Sequence, residues 1–201
     1  MENLHMLSKN LFYLFIFSPA HKTGRYFRTM LCGALIVLFS LCPVWEASAD
    51  VIISSFDNAG EWSAGTIDTN TFMEGTGSLA WNHGQNSSIG LNGSYPLDLS
   101  NGDFVSLWVH NDLAVAGERF VLLFYSTGGD YYIQIRADFT GWQHFVFPKD
   151  IFVVNSTPAG WHDITNIRFY AFGWSNTLNP NRTVHLDNLR LTNSSLATIS
   201  P

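Results

Sequence analysis

The sequence predicts an all-β protein, an antiparallel β-sandwich of the jelly-roll type. Beyond Asp50, no stretch of useful length repeats its apolar residues at helical spacing. Short β-branched and aromatic runs alternate instead with clusters of Gly, Asn, Asp and Ser, a pattern typical of strands joined by turns. About eight to ten strands, with a turn signal every 8–12 residues or so, favour two packed antiparallel sheets.

The strands are expected where apolar and polar residues alternate between turn signals. Residues 60–71 are predicted to be turn-rich, because Gly, Ser, Asp, Asn and Thr dominate there. The predicted strands, in chain order, cover residues 51–53, 77–82, 88–91, 103–110, 119–125, 131–137, 142–147, 164–174 and 183–192.

The last predicted strand, TVHLDNLRLT, contains an interruption of its alternation. Val184 and Leu186 share one face, whereas Leu189 and Leu191 have the opposite parity. One extra residue must be absorbed between the two pairs, which predicts a β-bulge at Asp187–Asn188. A bulge re-aims a side chain, here a carboxylate or an amide, and a closing strand with an acid at a kink suits a structural cation.

The first 49 residues resemble an N-terminal extension followed by a secretory signal. The apolar run 31–45 is preceded by Arg25 and Arg28 and followed by Ala47-Ser48-Ala49. This predicts cleavage after Ala49 and a secreted domain, extracellular or periplasmic; an uncleaved anchor is the alternative, although the run is short for a membrane span. The domain is expected to cover residues 50–193, and residues 194–201 have the composition of a polar tail or linker.

Composition beyond the signal restricts the class of partner. Both cysteines, Cys32 and Cys42, precede Asp50, so no disulfide is expected in the domain. About 150 residues suffice for one hydrophobic core. Four of the ten basic and two of the 16 acidic residues precede Asp50, which leaves 6 basic and 14 acidic side chains and a net charge of −8. That charge argues against nucleic acid or an anionic membrane as a partner.

The sequence contains no familiar catalytic motif. It has no G-x-S-x-G, H-E-x-x-H or P-loop pattern, and the domain has no cysteine nucleophile. Its histidines show no metal-ligand spacing, and His162-Asp163 reads as a turn before a strand. Paired carboxylates for glycoside hydrolysis would have to meet across space, which spacing alone cannot show.

Outward-facing aromatic and polar side chains are the main sign of a binding surface. In the predicted strands, the apolar residues go inward and leave an alternate set on the outer face. Aromatic rings stack on sugar rings, and polar side chains bond the hydroxyls, although aromatics can also simply cover the second face of a sheet. The expected outward set is Ser106, Trp108, His110, Tyr132, Gln134, Arg136, Arg168 and Tyr170.

Several segments in order resemble the jelly-roll carbohydrate-binding modules, with family 11 nearest and families 4 and 22 more distant. These modules have a galactose-binding-like sandwich and accompany polysaccharide lyases and other glycan-degrading enzymes. The resemblance covers nearly all of residues 50–193. The segments that carry it are VIISSFDNAGEWSAG, EGTGSLAWN, GWQHFVFPKDIF, ITNIRFYAFGW and VHLDNLRL.

The resemblance implies a structural calcium ion and a glycan-binding sheet. The calcium ligands would be Asp57, Glu74, Gly77 (through its carbonyl) and Asp187; from composition alone, three solvated turn acids are the alternative. Asp57 replaces the more usual Glu and is one methylene shorter. The glycan would lie across a concave sheet on Trp108, Tyr125, Tyr132, Arg136, Tyr170 and Trp174, with Gln134 and His110 as hydrogen-bonding residues.

The sequence therefore predicts a secreted, non-catalytic domain that holds a polysaccharide or oligosaccharide chain in a cleft, free-standing or linked to a carbohydrate-active enzyme. One alternative is a small jelly-roll polysaccharide lyase that uses Tyr132, Arg136, Gln134 and His110 to abstract a proton beside a uronate. The other is a structural or adhesive surface domain in which the same platform meets another protein.

Overall fold

The computed structural model describes residues 50–171 and 182–193, which form eleven β-strands. One 3₁₀ turn, Lys149–Ile151, separates the eighth strand from the ninth. In chain order the strands are β1 (Val51–Ser54), β2 (Thr66–Asp68), β3 (Ser78–Asn82), β4 (Ser88–Gly90), β5 (Phe104–Asn111), β6 (Arg119–Ser126), β7 (Gly129–Arg136), β8 (Gly141–Pro148), β9 (Val153–Ser156), β10 (Ile164–Tyr170) and β11 (Thr183–Thr192).

The strands pair into two sheets, and every pairing is antiparallel. The first sheet has the order β2-β3-β11-β5-β8, and β1 also pairs with β11. The second sheet has the order β4-β10-β6-β7-β9. The predicted all-β sandwich is confirmed.

The hydrophobic core lies between the two sheets and is built by alternation. Val105, Leu107 and Val109 of β5 point into it from the first sheet, and none of them is exposed to solvent. Phe120 and Phe124 of β6 enter from the second sheet and are equally buried. Each such side chain contributes about 1.5–3 kcal/mol on leaving water, so this layer is the main source of stability.

The predicted bulge is present in β11, the strand that pairs with β1, β3 and β5. The register against β5 shifts between Asp187 and Arg190, and Asn188 has a left-handed backbone with φ of 50°. As a result, Leu186 and Leu189 are both fully buried although their spacing has the wrong parity for one face.

The two strands that the sequence did not predict are short edge strands. β2 lies inside the region predicted as turns, and β9 lies between two predicted strands. All four residues of β9 are exposed, so no buried face produces an alternation there. No helix long and apolar enough to cross a membrane occurs in residues 50–171 and 182–193. The predicted signal (1–49), the end of the predicted strand 164–174 and the tail (194–201) fall wholly or partly outside these ranges.

The left-handed backbone of Asn188 generates a stability prediction. Asn188→Gly and Asn188→Ala both remove the carboxamide group of the side chain. Only alanine keeps a Cβ, which disfavours this backbone conformation. We expect Asn188→Ala to be about 1–2 kcal/mol less stable than Asn188→Gly in urea unfolding. Equal stability of the two variants would show that the bulge relaxes without strain.

Candidate functional site: a groove on the second sheet

The outer face of the second sheet carries three rows of side chains across its strands. Residues that lie directly opposite each other on paired strands project from the same face. The first row is Tyr170, Val121 and Gln134; the second is Arg168, Leu123, Tyr132 and Val153; the third is Asn166, Tyr125, Asp130 and Asn155.

These rows enclose an open groove of about 480 Å³. Val121 and Leu123 of β6 give it an aliphatic floor at the centre of the sheet. Tyrosines from β6, β7 and β10 surround that floor, and amide and carboxylate groups stand at the rim. The lining residues are Val121, Leu123, Tyr125, Asp130, Tyr132, Gln134, Asn155 and Tyr170.

A pair of tyrosines marks one end of the groove. The hydroxyl oxygens of Tyr125 and Tyr170 lie 2.9 Å apart and share a hydrogen bond. Burial raises the pKa of Tyr125 to about 12, and the adjacent Tyr170 hydroxyl adds to the increase. Tyr125 is therefore neutral at physiological pH, and its hydroxyl can both donate and accept a hydrogen bond.

A second, more polar hollow of about 520 Å³ adjoins the tyrosine pair and shares both tyrosines with the groove. It is also lined by Asn166 and Arg168, whose Nε donates to Asn166 Oδ1 at 3.4 Å. Gly90 lies beside Arg168, since a Cβ at this position would be 3.5 Å from Nε.

Four residues predicted to bind a glycan come together in this groove: Tyr125, Tyr132, Gln134 and Tyr170. Arg136 is on the same face of β7 but does not line the groove; its side chain is 77% exposed and pairs with Asp138 at 3.7 Å. Trp174 lies outside the described residues.

The prediction of one platform that also includes Trp108 and His110 is wrong. Both residues belong to β5 in the first sheet, so their outward side chains point to the opposite side of the sandwich. Alternation separates inward from outward residues, but it does not assign a strand to a sheet. The same placement separates His110 from Tyr132 and Gln134, so the lyase constellation does not form one cleft.

Sequence reasoning missed Asp130 and Asn155 at the rim. Asn155 Nδ2 donates to Asp130 Oδ2 at 3.0 Å across β7 and β9. Asp130 shares the parity of Tyr132 and could have been found from it. Asn155 is placed only by the pairing of β9, which had no signal of its own.

The acids predicted to bind calcium converge on the loop that precedes β3. Asp57 Oδ1 accepts hydrogen bonds from the backbone N–H groups of Thr76 and Gly77, at 2.6 and 2.9 Å. Asp187 Oδ2 accepts from the N–H groups of Met73 and Glu74, at 2.7 and 2.9 Å. Gly77 thus offers Asp57 its N–H group.

Asp187 retains one buried oxygen for which the described residues provide no hydrogen-bond partner, Oδ1. Burial raises the pKa of Asp187 to about 6; its two backbone hydrogen bonds oppose the shift, and the negative charges of Asp57 and Glu74 add to it. A buried carboxylate oxygen near two further carboxylates is a suitable environment for a hard cation.

Glu74 is already engaged by its neighbours. Its Oε1 accepts a hydrogen bond from Trp108 Nε1 at 3.1 Å, and its Oε2 contacts Asn188 and Arg190. The described residues hold no preformed group of three or more His, Cys, Asp or Glu side chains around a metal position. Asp187 and Asp57 therefore fit a cation better than Glu74 does, and backbone carbonyls would have to complete the site.

Comparison with known proteins shows the fold. No family model and no curated protein matches the sequence. The structure is similar to an exo-β-agarase, with a TM-score of 0.53 and 16% identity over 73% of this chain and 25% of that chain. It is also similar to a family 30 carbohydrate-binding module, with a TM-score of 0.51 and 19% identity over 73% of this chain and 99% of the module.

These matches confirm the expected resemblance to carbohydrate-binding modules at the level of the fold. The assignment to family 11 stays a prediction. This chain spans about a quarter of the agarase chain.

The raised pKa of Asp187 predicts a pH dependence of stability in the presence of a chelator. The folded-state pKa of about 6 exceeds the unfolded value near 3.8, so this group stabilises the fold at low pH, and that contribution is lost as pH rises from about 4 to above 6. We expect Asp187→Asn to flatten the dependence of melting temperature on pH in that window. Asp150→Asn, at an exposed position, should leave the dependence unchanged. A flattening of equal size in both variants would contradict the assignment to Asp187.

Proposed function

We propose that residues 50–193 form a non-catalytic carbohydrate-binding domain that holds a glycan chain in the groove of the second sheet. The observation that carries the proposal is the groove itself, in which Tyr125, Tyr132 and Tyr170 surround an aliphatic floor. Sugar rings have C–H faces that pack on aromatic and aliphatic surfaces, and hydroxyl groups that need polar partners.

The rim of the groove supplies those polar partners. Gln134 and Asn155 offer amide donors and acceptors, and Asp130 offers a carboxylate that accepts from hydroxyl groups. Beyond the tyrosine pair, Arg168 and Asn166 extend the polar surface by one further hollow. The outer face therefore provides a continuous path across at least three strands, long enough for more than one sugar unit.

The similar structures support the same ligand class. One is a carbohydrate-binding module, and the other is an agarase in which the matched part is a quarter of the chain. We further propose that this domain serves a carbohydrate-active enzyme, linked or neighbouring, and that it acts outside the cytoplasm, as the signal-like residues 31–49 suggest.

The groove generates a prediction about glycan binding. Polysaccharides retained in affinity electrophoresis should be selected first and then titrated calorimetrically. Tyr132→Ala and Tyr170→Ala should each weaken binding about 10-fold, or about 1.4 kcal/mol, because each removes a stacking face. Trp108→Ala, an aromatic truncation on the opposite sheet, should leave the affinity unchanged.

Two outcomes would count against the proposal. Loss of affinity in Trp108→Ala without loss in Tyr132→Ala would place the glycan on the first sheet. If the folded protein migrates unretarded through gels that contain plant, algal or animal polysaccharides, carbohydrate binding is ruled out. An adhesive role is then favoured, in which soluble sugars would not inhibit binding to the partner.

We also infer that calcium stabilises the loop at the bulge of β11. The unpartnered Oδ1 of Asp187 and the nearby carboxylate of Asp57 support this inference, because both offer the hard oxygen ligands that calcium prefers. A bound cation would offset the cost of the buried Asp187 carboxylate and tie the closing strand to the loop before β3.

Calcium should therefore raise the melting temperature. At a calcium concentration 100-fold above Kd, the linked stabilisation is about 2.7 kcal/mol. Asp187→Asn should abolish the increment measured by differential scanning calorimetry, whereas Asp150→Asn should retain it. A melting curve that chelation leaves unchanged would indicate that the acids serve the loop only through their hydrogen bonds.

A further inference from the structure

The outer face of the first sheet contains a pair of histidines that neither the groove nor the acidic loop uses. His110 of β5 and His185 of β11 lie directly opposite each other in the register. Their ring centroids are 5.5 Å apart, and the ring planes are steeply inclined at 88°. Opposite residues on paired strands have Cβ atoms about 4.5–5.5 Å apart, so both side chains can reach one common point.

The hydrogen bonds around His185 assign its tautomer. Ser78 Oγ donates its single hydrogen to the carbonyl of Thr71. It can then only accept from His185 Nδ1, which lies 3.2 Å away. The Asp68 carboxylate, 3.6 Å from the same Nδ1, also favours a proton there. His185 Nε2 is left with a free lone pair.

A similar arrangement orients His110. Its Nδ1 lies 3.5 Å from Asp112 Oδ1 without a hydrogen bond between them, and the negative charge of this carboxylate still favours the proton on Nδ1 over Nε2. Its ring also packs against Trp142 with the centroids 5.2 Å apart, which restricts the rotation of the imidazole. Each histidine therefore has a carboxylate within 3.6 Å of Nδ1, which leaves Nε2 as the ring nitrogen for a metal ion.

The separation of the two rings matches a shared metal ion. Two imidazole nitrogens bound at 2.0–2.1 Å to one tetrahedral ion place their ring centroids about 5 Å apart. The observed centroid distance of 5.5 Å is close to this separation.

We propose that His110 and His185 bind one divalent transition-metal ion, such as Zn²⁺, through their two Nε2 atoms. Imidazole suits zinc, copper and nickel, whereas calcium and magnesium prefer oxygen, so this site is chemically distinct from the acidic loop. The described residues supply no third protein ligand of the group His, Cys, Asp or Glu. Water completes the coordination, and the ion clamps β5 to β11 on the outer face of the first sheet.

The first test is thermal unfolding of the full chain with increasing zinc chloride after treatment with a chelator. Zinc at about tenfold above Kd should raise the melting temperature by about 3 °C. The increment should vanish in His110→Ala and remain in His162→Ala, which changes a histidine in the turn before β10. Cys32 and Cys42, which can also bind zinc, are present in the parent protein and in both variants. The difference in melting temperature between the variants therefore reports on the histidine pair alone.

The second test identifies the ligands directly. Electron paramagnetic resonance of the Cu²⁺-loaded chain should show coupling to two imidazole nitrogens, reduced to one in His110→Ala. The calcium-dependent increment should survive in His110→Ala. No zinc effect in the parent chain, or an equal effect in His110→Ala, would overturn the proposal. If His185→Ala folds, it should lose the zinc effect as His110→Ala does. If His185→Ala does not fold, His110→Ala alone decides the test, because the side chain of His110 is more exposed and its removal disturbs the fold less.

Discussion

The buried carboxylate of Asp187 is the interaction on which the closure of the first sheet depends. It lies at the bulge of β11 and accepts hydrogen bonds from Met73 and Glu74, which precede it by 114 and 113 residues. Hydrogen bonds to a charged group contribute about 1.5–3 kcal/mol each when both partners are present. Asp57 holds the same loop through the backbone N–H groups of Thr76 and Gly77. Two acids, one near each end of the domain, thereby fix one loop.

The bulge also determines what the outer face of the first sheet presents. β11 pairs with β5 on both sides of the register shift, so the bulge sets which residues of β5 face which residues of β11. Leu186 and Leu189 both reach the core, and His185 falls opposite His110. The first sheet thus carries β1 and β11, which are the first and last strands of the described residues, together with the acidic loop and the histidine pair. The second sheet contains none of these and leaves its outer face to the groove.

The sequence predicted the inward residues of the long strands because each of those strands has one buried face. Val105, Leu107 and Val109 of β5 illustrate this, as does the parity change that located the bulge in β11. The assignment of strands to sheets could not be predicted in this way, since β5 and β7 alternate alike but belong to different sheets. Trp108 and Tyr132 were therefore placed together although the core separates them.

The residues at the rim of the groove show a second reason why the site could not be predicted in full from the sequence. Asp130 had a signal, because it directly precedes the predicted strand 131–137 and has the parity of Tyr132, with which it shares a face of β7. Asn155 had none, because β9 is an edge strand whose four residues are all exposed, and only its pairing with β7 brings the amide to Asp130. Edge strands are specified by the neighbour they pair with, so their side chains enter a site without any periodic pattern.

Several side chains of the groove hold one another through hydrogen bonds, and this bears on the glycan binding proposed for it. Tyr125 and Tyr170 already hold each other through their hydroxyls, and Asn155 already holds Asp130. Side chains that are fixed in advance lose less conformational entropy on binding, and aromatic rings have few torsions to lose. A sugar hydroxyl can be inserted between such partners by exchange of hydrogen bonds, because each tyrosine hydroxyl both donates and accepts.

The aliphatic floor of Val121 and Leu123 offers no hydrogen bonds to water, so covering it with a sugar ring removes apolar surface without leaving a polar group unpaired. Under the proposed function, discrimination between glycans arises at the rim, where Asp130, Gln134 and Arg168 differ in charge and in hydrogen-bonding capacity.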